Sequence, residues 1–268
     1  MHPMLNIAIR AARKAGDLIA KYYETPDGVD GSPKGNNDFT GANIEREAER
    51  LIIEIIHKFY PLHTIIGKKY GELIDENHDV KWIIIPLDGT INFIKRFPHF
   101  AVSIAVRIKG HTEIAVIYDP IRNELFSANR GQGAQLNGYR LRGSTARDLN
   151  NAILAINFPF KQKQDSPSYI MLLSKLFIQC ADFRCSGSNA LDLAYIAAGR
   201  IDGFFKIILK PWDCFGGELL VREAGGLVTD FKGGHNYLLS GNLVSGNPRM
   251  VKTMLSVIRD KLSEEMKG

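Results

Sequence analysis

Three short stretches combine acids, glycines and hydroxyls in ways that suit chemistry on a phosphate. The first is Pro86-Leu87-Asp88-Gly89-Thr90, which directly follows the apolar run Trp82-Ile83-Ile84-Ile85. If a helix starts at Gly89 and Thr90, their backbone N–H groups point at an anion and the helix dipole adds to the attraction. Asp88 supplies a hard oxygen of the kind Mg2+ takes. The same residues also read as a strand-to-helix turn with an Asx-type cap. The second stretch, Trp212-Asp213-Cys214-Phe215-Gly216-Gly217-Glu218, puts Asp213 at a helix start, as a metal ligand or as an N-cap. In the third, Arg184-Cys185-Ser186-Gly187-Ser188-Asn189, small hydroxylic residues beside an arginine lead into a helix and form an anion pocket. Ordinary capping by Ser188 accounts for them equally. A single carboxylate is too few to hold a hard cation in a catalytic pose, so no stretch defines a site alone.

The elements that carry these stretches follow from composition and periodicity. With 268 residues, 45% of them hydrophobic, the chain can bury a large core as one domain or as two tightly packed halves. No apolar run approaches the roughly 20 residues of a membrane span. The opening MHPMLNIAIRAARKAG lacks an apolar block with a cleavage site, so no signal peptide is expected. Cys180, Cys185 and Cys214 are an odd, sparse set that suits a reducing cytosol and partly buried, inert thiols; their spacing does not suit zinc. The net charge of +5 comes from scattered basic residues. Solubility explains it, and it permits an RNA or RNA–protein partner.

The first helix carries Leu5, Ala8, Ala12, Ala15 and Ile19 on one stripe and ends before the turn-rich residues 24–38. A second helix fits NIEREAERLIIEIIHKFYP, stopped by Pro61. VKWIIIPL and the segment from His99 to Gly138 then read as strands, the latter as an antiparallel meander. The second half alternates: strand NAILAINFP, helix SYIMLLSKLFIQCA, and helix SNALDLAYIAAG with Leu191, Ala194, Tyr195 and Ala198 on one face and Gly199 as its stop. Strand IDGFFKIIL, helix WDCFGGELLVREAGG, two short strands and a terminal helix complete it. This is a layered α/β or α+β pattern, with a seam near residues 140–149.

The order of the motifs says more than any one of them. A strand ending in P-L-D-G-T-x-N-F, then a distant W-D followed by small residues and E-x-x-x-x-E-A-G-G, resembles the inositol monophosphatase family over essentially the whole chain. FAVSIAVRIKG, YDPIRNELF, GQGAQLNGYRLR, GFF and PWD…GGELLVREAGG closely resemble one bacterial branch of it. The resemblance implies a single α/β (α+β layered) domain over residues 1–268. Its architecture would be an αβαβα sandwich with halves of about 1–143 and 144–268 and a site between them. It also implies Mg2+-dependent hydrolysis of phosphomonoesters such as inositol-1-phosphate, in which cations gripped by carboxylates activate a water. Asp88, Thr90 and Asp213 would then be catalytic. The Leu87 carbonyl, Asp88 and Asp213 would be metal ligands, and Leu87, Asp88, Gly89, Thr90 and Arg184 would meet substrate.

The chain departs from that pattern where it matters. Lys68 and Lys69 stand where the family has Glu-Glu, and Ile85 stands where it has the Asp that bridges two metals. Lys206 replaces a substrate-side acid, Phe215 a small residue after W-D, and Glu45 an Asp, beside a one-residue insertion in FTGANIE. The four ligand positions become Lys68, Ile85, Asp88 and Asp213, formally −1. A hard dication gains little from so few negative charges beside an ammonium. Mg2+ binding is therefore expected to be weak or absent and hydrolysis lost or severely reduced. Lys68 is expected to pair with Asp88 or Asp213, which spares two acids from standing unmatched in a cleft.

The bacterial branch is associated with ribosomal RNA transcription antitermination, working with NusA and RNA polymerase. The resemblance thus implies a cytoplasmic, non-catalytic binding platform, with RNA contact and a homodimer or a monomer–dimer equilibrium as further expectations. One alternative is a weakened single-metal phosphatase using Asp88, Asp213, Thr90 and the Leu87 carbonyl. Another is an anion sensor with Lys68, Lys69, Lys206 and Arg184 around the Gly89 and Thr90 amides.

Overall fold

The computed structural model describes residues 2–25, 37–67, 71–73, 79–158 and 166–265. Helix α1 (Pro3–Glu24) buries Leu5, Ala8, Ala11, Ala12, Ala15 and Ile19, the expected stripe widened by Ala11. Helix α2 (Asn37–Phe59) pairs with it. It begins six residues before the Asn43 that the sequence suggests, and in the added turn Gly41 packs close to Ile94. A Cβ on Gly41 would lie 2.9 Å from the Ile94 side chain.

Eight strands form the first sheet: β1 (Thr64–Gly67), β2 (Gly71–Leu73), β3 (Val80–Asp88), β4 (Ala101–Ile108), β5 (His111–Asp119), β6 (Glu124–Asn129), β7 (Gly133–Leu136) and β8 (Tyr139–Arg140). Their order is β2-β1-β3-β4-β5-β6-β7-β8. From β3 onward each strand lies antiparallel to the next, so the meander is present as expected. Strand alternation sorts the residues of β3. Trp82 and Ile84 enter the core under α1 and α2, while Ile83 packs on the opposite face with Ala105 and Phe215.

That opposite face is covered by α5 (Asn189–Ala197) and α6 (Phe215–Glu223), which in turn lie on a second, five-stranded sheet. Its strands β9 (Ile153–Ile156), β10 (Asp182–Arg184), β11 (Gly203–Lys206), β12 (Leu227–Thr229) and β13 (Leu243–Gly246) run in the order β10-β9-β11-β13-β12. Helices α4 (Ser166–Phe177) and α8 (Pro248–Glu265) close the far side over a third core of Leu154, Phe205, Val244 and Met254. The layers therefore run α, β, α, β, α. Two short helices, α3 (Thr90–Ile94) and α7 (Tyr237–Ser240), sit at strand ends.

Three expectations are corrected. Helix α5 does not show one buried stripe: Leu193, Ile196 and Ala197 are buried along with Leu191 and Ala194, because the helix lies between two sheets. Helix α4 ends at Phe177 rather than running to Ala181, whose amide instead bonds the Ala152 carbonyl at 3.0 Å on the way into β10. Cys185 is exposed, whereas Cys180 is half-buried and Cys214 buried. Among the described residues no helix is long and apolar enough to cross a membrane.

Candidate functional site

The first stretch is shaped by a bulge at the end of β3. Pairing with β4 shifts from Ile85 opposite Ser103 to Asp88 opposite Ala101, which accommodates Pro86, a residue with no N–H for a ladder. Gly89 follows with φ of +86°, and a Cβ there would lie 2.9 Å from the His99 carbonyl oxygen. Only glycine fits both demands. Helix α3 does start at Thr90, but it is a single five-residue turn. The Thr90 hydroxyl donates to the Leu87 carbonyl at 3.3 Å, so the oxygen that the family pattern offers to a metal has a partner within the chain.

Asp88 does not cap its own turn. Its Oδ2 atom accepts from the Ser188 hydroxyl at 2.7 Å and from the Ala190 amide at 2.8 Å, both at the start of α5. Ser188 is the N-cap of that helix and accepts from the Leu191 amide at 3.3 Å. The carboxylate thus sits where the helix dipole favours a negative charge. A second tie runs alongside: the Asn92 side-chain amide donates to the His99 carbonyl at 2.7 Å and to the Ser186 carbonyl at 2.8 Å.

Lys206, the last residue of β11, enters the same cluster. Its ammonium donates to Asn189 Oδ1 at 2.8 Å, and the Asn157 amide donates to that oxygen at 2.9 Å. Burial lowers the pKa of Lys206, while the charges of Asp213, Asp88 and Asp192 act to raise it. Asp192 is fully buried on α5. Burial raises its pKa to about 7, Asp88 adds to the effect, and the Ser186 hydroxyl opposes it by donating to Oδ1 at 2.6 Å. The other carboxyl oxygen, Oδ2, finds no hydrogen-bond partner among the described residues.

Asp213 is not a helix cap. The chain makes a 3-10 turn over Pro211–Asp213, and the N-cap of α6 is Cys214, which makes no side-chain cap bond. Pro211 opens the turn, where its missing N–H leaves no bond unmade. Ile85 is buried at 2% exposure opposite Ser103, on the same strand face as Ile83. Glu45 is buried in α2. Arg184 lies on the edge strand β10, where its guanidinium pairs with Asp182 and donates to the Phe183 carbonyl at 3.0 Å. Among the described residues it bonds neither Asp88 nor Lys206. Lys68 and Lys69, and with them the expected Lys68 ion pair, lie outside the described residues.

The structure therefore brings together Leu87, Asp88, Gly89, Thr90, Lys206 and Asp213, and leaves Arg184 apart. It adds Asn157, Ser186, Asn189 and Asp192, which sequence reasoning passed over. One signal was available: an acid inside the apolar run Ala190-Leu191-Asp192-Leu193-Ala194, where a charge is rarely buried without a partner. The two acids of the E-x-x-x-x-E-A-G-G motif serve the framework. Glu218 binds Arg222 and Tyr237, and Glu223 accepts the Gly131 and Gly133 amides at 2.8 and 2.7 Å. A cavity of about 480 Å3 lined by Arg142, Ser144, Asp202, Glu223 and Asn247 lies at the seam rather than at this cluster.

The residues present do not fit a magnesium centre. Among the described residues no group of three or more His, Cys, Asp or Glu side chains could hold a metal. One oxygen of Asp88 already holds two donors, the Leu87 carbonyl is bonded to Thr90, and the Lys206 ammonium is bonded to Asn189 at the start of the same helix that engages Asp88. A dication would meet repulsion instead of a cage of oxygens.

Comparison with known proteins gives a consistent picture. The family model described as "Inositol monophosphatase family" matches residues 1–264. Nus factor SuhB of Escherichia coli (strain K12) is 68% identical over 267 residues, which covers 100% of both chains. Nus factor SuhB of Vibrio cholerae is 56% identical over 97% of both. Among solved structures, the SuhB extragenic suppressor protein of Bartonella henselae superposes with a TM-score of 0.88 at 35% identity, covering 96% of this chain and 99% of that one. An inositol monophosphatase from Anabaena gives 0.85 at 30% identity, over 96% of each.

Proposed function

The chain belongs to the inositol monophosphatase family, and from that premise we propose that it is a non-catalytic member acting as a binding platform. Its task is ribosomal RNA transcription antitermination, with NusA and RNA polymerase as partners and a homodimer as the working form. The observation that carries this reading is the engagement of Asp88 by the start of α5 beside the Lys206 ammonium. The carboxylate that should grip Mg2+ holds two segments of the fold together instead. Full-length similarity to proteins named Nus factor SuhB supports retention of the binding role. The fold alone does not assign function.

The fate of hydrolysis follows from the same residues. In-line attack on a phosphomonoester needs cations that bridge its oxygens and lower the pKa of a water. Ile85 offers no oxygen at the bridging position, and Lys206 brings a positive charge to the substrate side. The test has two arms on the purified protein: hydrolysis of inositol-1-phosphate with millimolar Mg2+, and binding to purified NusA. No turnover together with saturable NusA binding is expected. Chelator-sensitive turnover in the unmodified protein would overturn the reading in favour of a weakened phosphatase. Saturable binding of inositol-1-phosphate without turnover or NusA binding would favour the anion sensor.

A further inference from the structure

The cavity of about 480 Å3 at the seam is walled by β8 and the residues after it, the end of α6, the end of β13 and the start of α8. Ile196, near the C-terminus of α5, lines it too. Ala190, whose amide binds Asp88, lies six positions earlier on that helix, so the Asp88 cluster is roughly 9 Å away along the axis, at the other end. The ladder between β7 and β8 continues through Leu141, whose amide bonds the Ala134 carbonyl at 2.8 Å and whose side chain packs on the core between the sheets. Arg140 and Arg142 flank Leu141 and, two positions apart, both line the cavity. Both are exposed, and neither guanidinium makes a hydrogen bond or ion pair among the described residues. Arg122, Arg130, Arg200 and Arg222, by contrast, each pair with a carboxylate. Nor do the last carbonyls of α6 need the two arginines as caps. Val221, Arg222 and Ala224 accept from the Gly226, Gly225 and Gly143 amides at 2.8, 3.0 and 3.2 Å.

The two carboxylates in the wall are held by the protein itself. Asp202 accepts from the Ser144 hydroxyl and from the Ile153 amide, and Glu223 accepts from the Gly131 and Gly133 amides. Each of these four oxygens has one donor and keeps a further lone pair. Asn247 is fully used: its amide donates to the Ser144 and Ala146 carbonyls, and its Oδ1 accepts from the Arg249 and Met250 amides. The wall thus has two guanidinium forks and a few carboxylate lone pairs left to offer. A molecule that complements it brings an oxyanion to the first and hydroxyl donors to the second. We propose that the seam cavity is a binding site for a small phosphate ester with free hydroxyls, its phosphate on Arg140 and Arg142 and its hydroxyls donating to Asp202 and Glu223. A phosphate ester presents three free oxygens to two forks, where a carboxylate presents two. The volume of about 480 Å3 falls within the roughly 300–1,000 Å3 of small-molecule sites and suits a molecule between a sugar phosphate and a nucleotide in size. Such a ligand touches β8 of the first half and β13 and α8 of the second, so its binding ties the halves together. The inference goes beyond the platform reading and does not depend on it.

The experiment is calorimetric titration of the full chain in EDTA with glucose 6-phosphate, adenosine 5′-monophosphate and inorganic phosphate, with glucose as the uncharged control. The parent is compared with Arg140→Ala, Arg142→Ala, the double Ala variant and the double Lys variant. Both positions are exposed, so all variants should fold, and an unchanged Tm without ligand checks this. At least one of the two esters is expected to bind the parent saturably, one molecule per chain and more tightly than inorganic phosphate, while glucose does not bind. Each single Ala substitution should weaken that binding by about tenfold or more, and the double Ala variant should lose it. The double Lys variant should keep part of it, since an ammonium supplies the charge without the fork. Hydrogen exchange in the parent should slow at residues 139–143 and 223–226 when the bound ester is added. Failure of both esters to bind at millimolar concentration would overturn the proposal. So would equal binding by the double Ala variant, which would place the anion elsewhere, for instance at the Gly89 and Thr90 amides. Inorganic phosphate binding as tightly as the esters would overturn it too, by removing any part for Asp202 and Glu223. Turnover with Mg2+ and binding to NusA decide the functional reading separately and move none of these arms.

Discussion

Asp88 and Ser188, one hundred residues apart, are joined by a 2.7 Å hydrogen bond from the serine hydroxyl to the aspartate Oδ2. The bond links the end of a strand in the first sheet to the cap of the helix between the sheets. Ser188→Ala is expected to cost about 1 kcal/mol through loss of the cap. Asp88→Ala should cost roughly 2–3 kcal/mol, since it strands the buried Ala190 amide and the Ser188 hydroxyl. Urea unfolding of the single and double variants should give a coupling energy of at least about 0.5 kcal/mol. Strict additivity would show that the two residues act independently.

Stability should also depend on pH through Asp192. Its folded pKa of about 7 lies above its ordinary value of 3.8, so the folded state holds its proton more tightly than the unfolded chain. The stabilisation is therefore complete below about pH 4 and declines as pH rises towards 7. Its full size is on the order of a few kcal/mol. Asp192→Asn should flatten the stability curve between about pH 4 and 7, measured by chemical unfolding at stepped pH. An unchanged slope would assign the dependence to other groups.

Glu223 clamps the turn between β6 and β7 by accepting two backbone amides with its two oxygens. Glu223→Gln keeps one acceptor and Glu223→Ala none. The expected losses are about 1 and about 2–3 kcal/mol, the range for hydrogen bonds to a charged group. Hydrogen exchange should quicken at Gly131 and Gly133 before it quickens elsewhere in the sheet. Equal protection in the Ala variant would contradict the clamp.

Ile208, just past β11, has a φ of +58°. A β-branched residue is strained there, by roughly 1–2 kcal/mol. Ile208→Gly removes the strain but adds freedom to the unfolded chain, so a net gain of about 0.5–1 kcal/mol is expected. A thermal melt is sufficient to read it, and a lower Tm would show that side-chain packing outweighs backbone strain.

Much of the fold could be read from periodicity because most elements bury one face. The α1 stripe and the antiparallel meander are cases where local pattern and tertiary placement agree. Helix α5 shows the limit: buried between two sheets, it carries apolar residues all round, and its periodicity says little about which layer it joins. The site was legible as far as Asp88, Gly89, Thr90 and Asp213, since each follows a proline, glycine or tryptophan signal in the chain. The pairing of Asp88 with Ser188 was not legible, because it depends on the docking of one sheet on the other. For the same reason the sequence marks Lys206 only as a lost acid, because its bond to Asn189 depends on β11 lying beside the start of α5.

The all-round burial of α5 has a consequence for how the chain folds during synthesis. The first sheet is built mainly from strands adjacent in sequence, so it can assemble as soon as Arg140 has left the ribosome. Its second face then carries Ala101, Ala115, Ile117 and Phe126 uncovered until α5 and α6 have emerged, ending at Glu223. During that interval the nascent chain presents an apolar sheet surface to its surroundings, the kind of intermediate that chaperones hold and that aggregates without them.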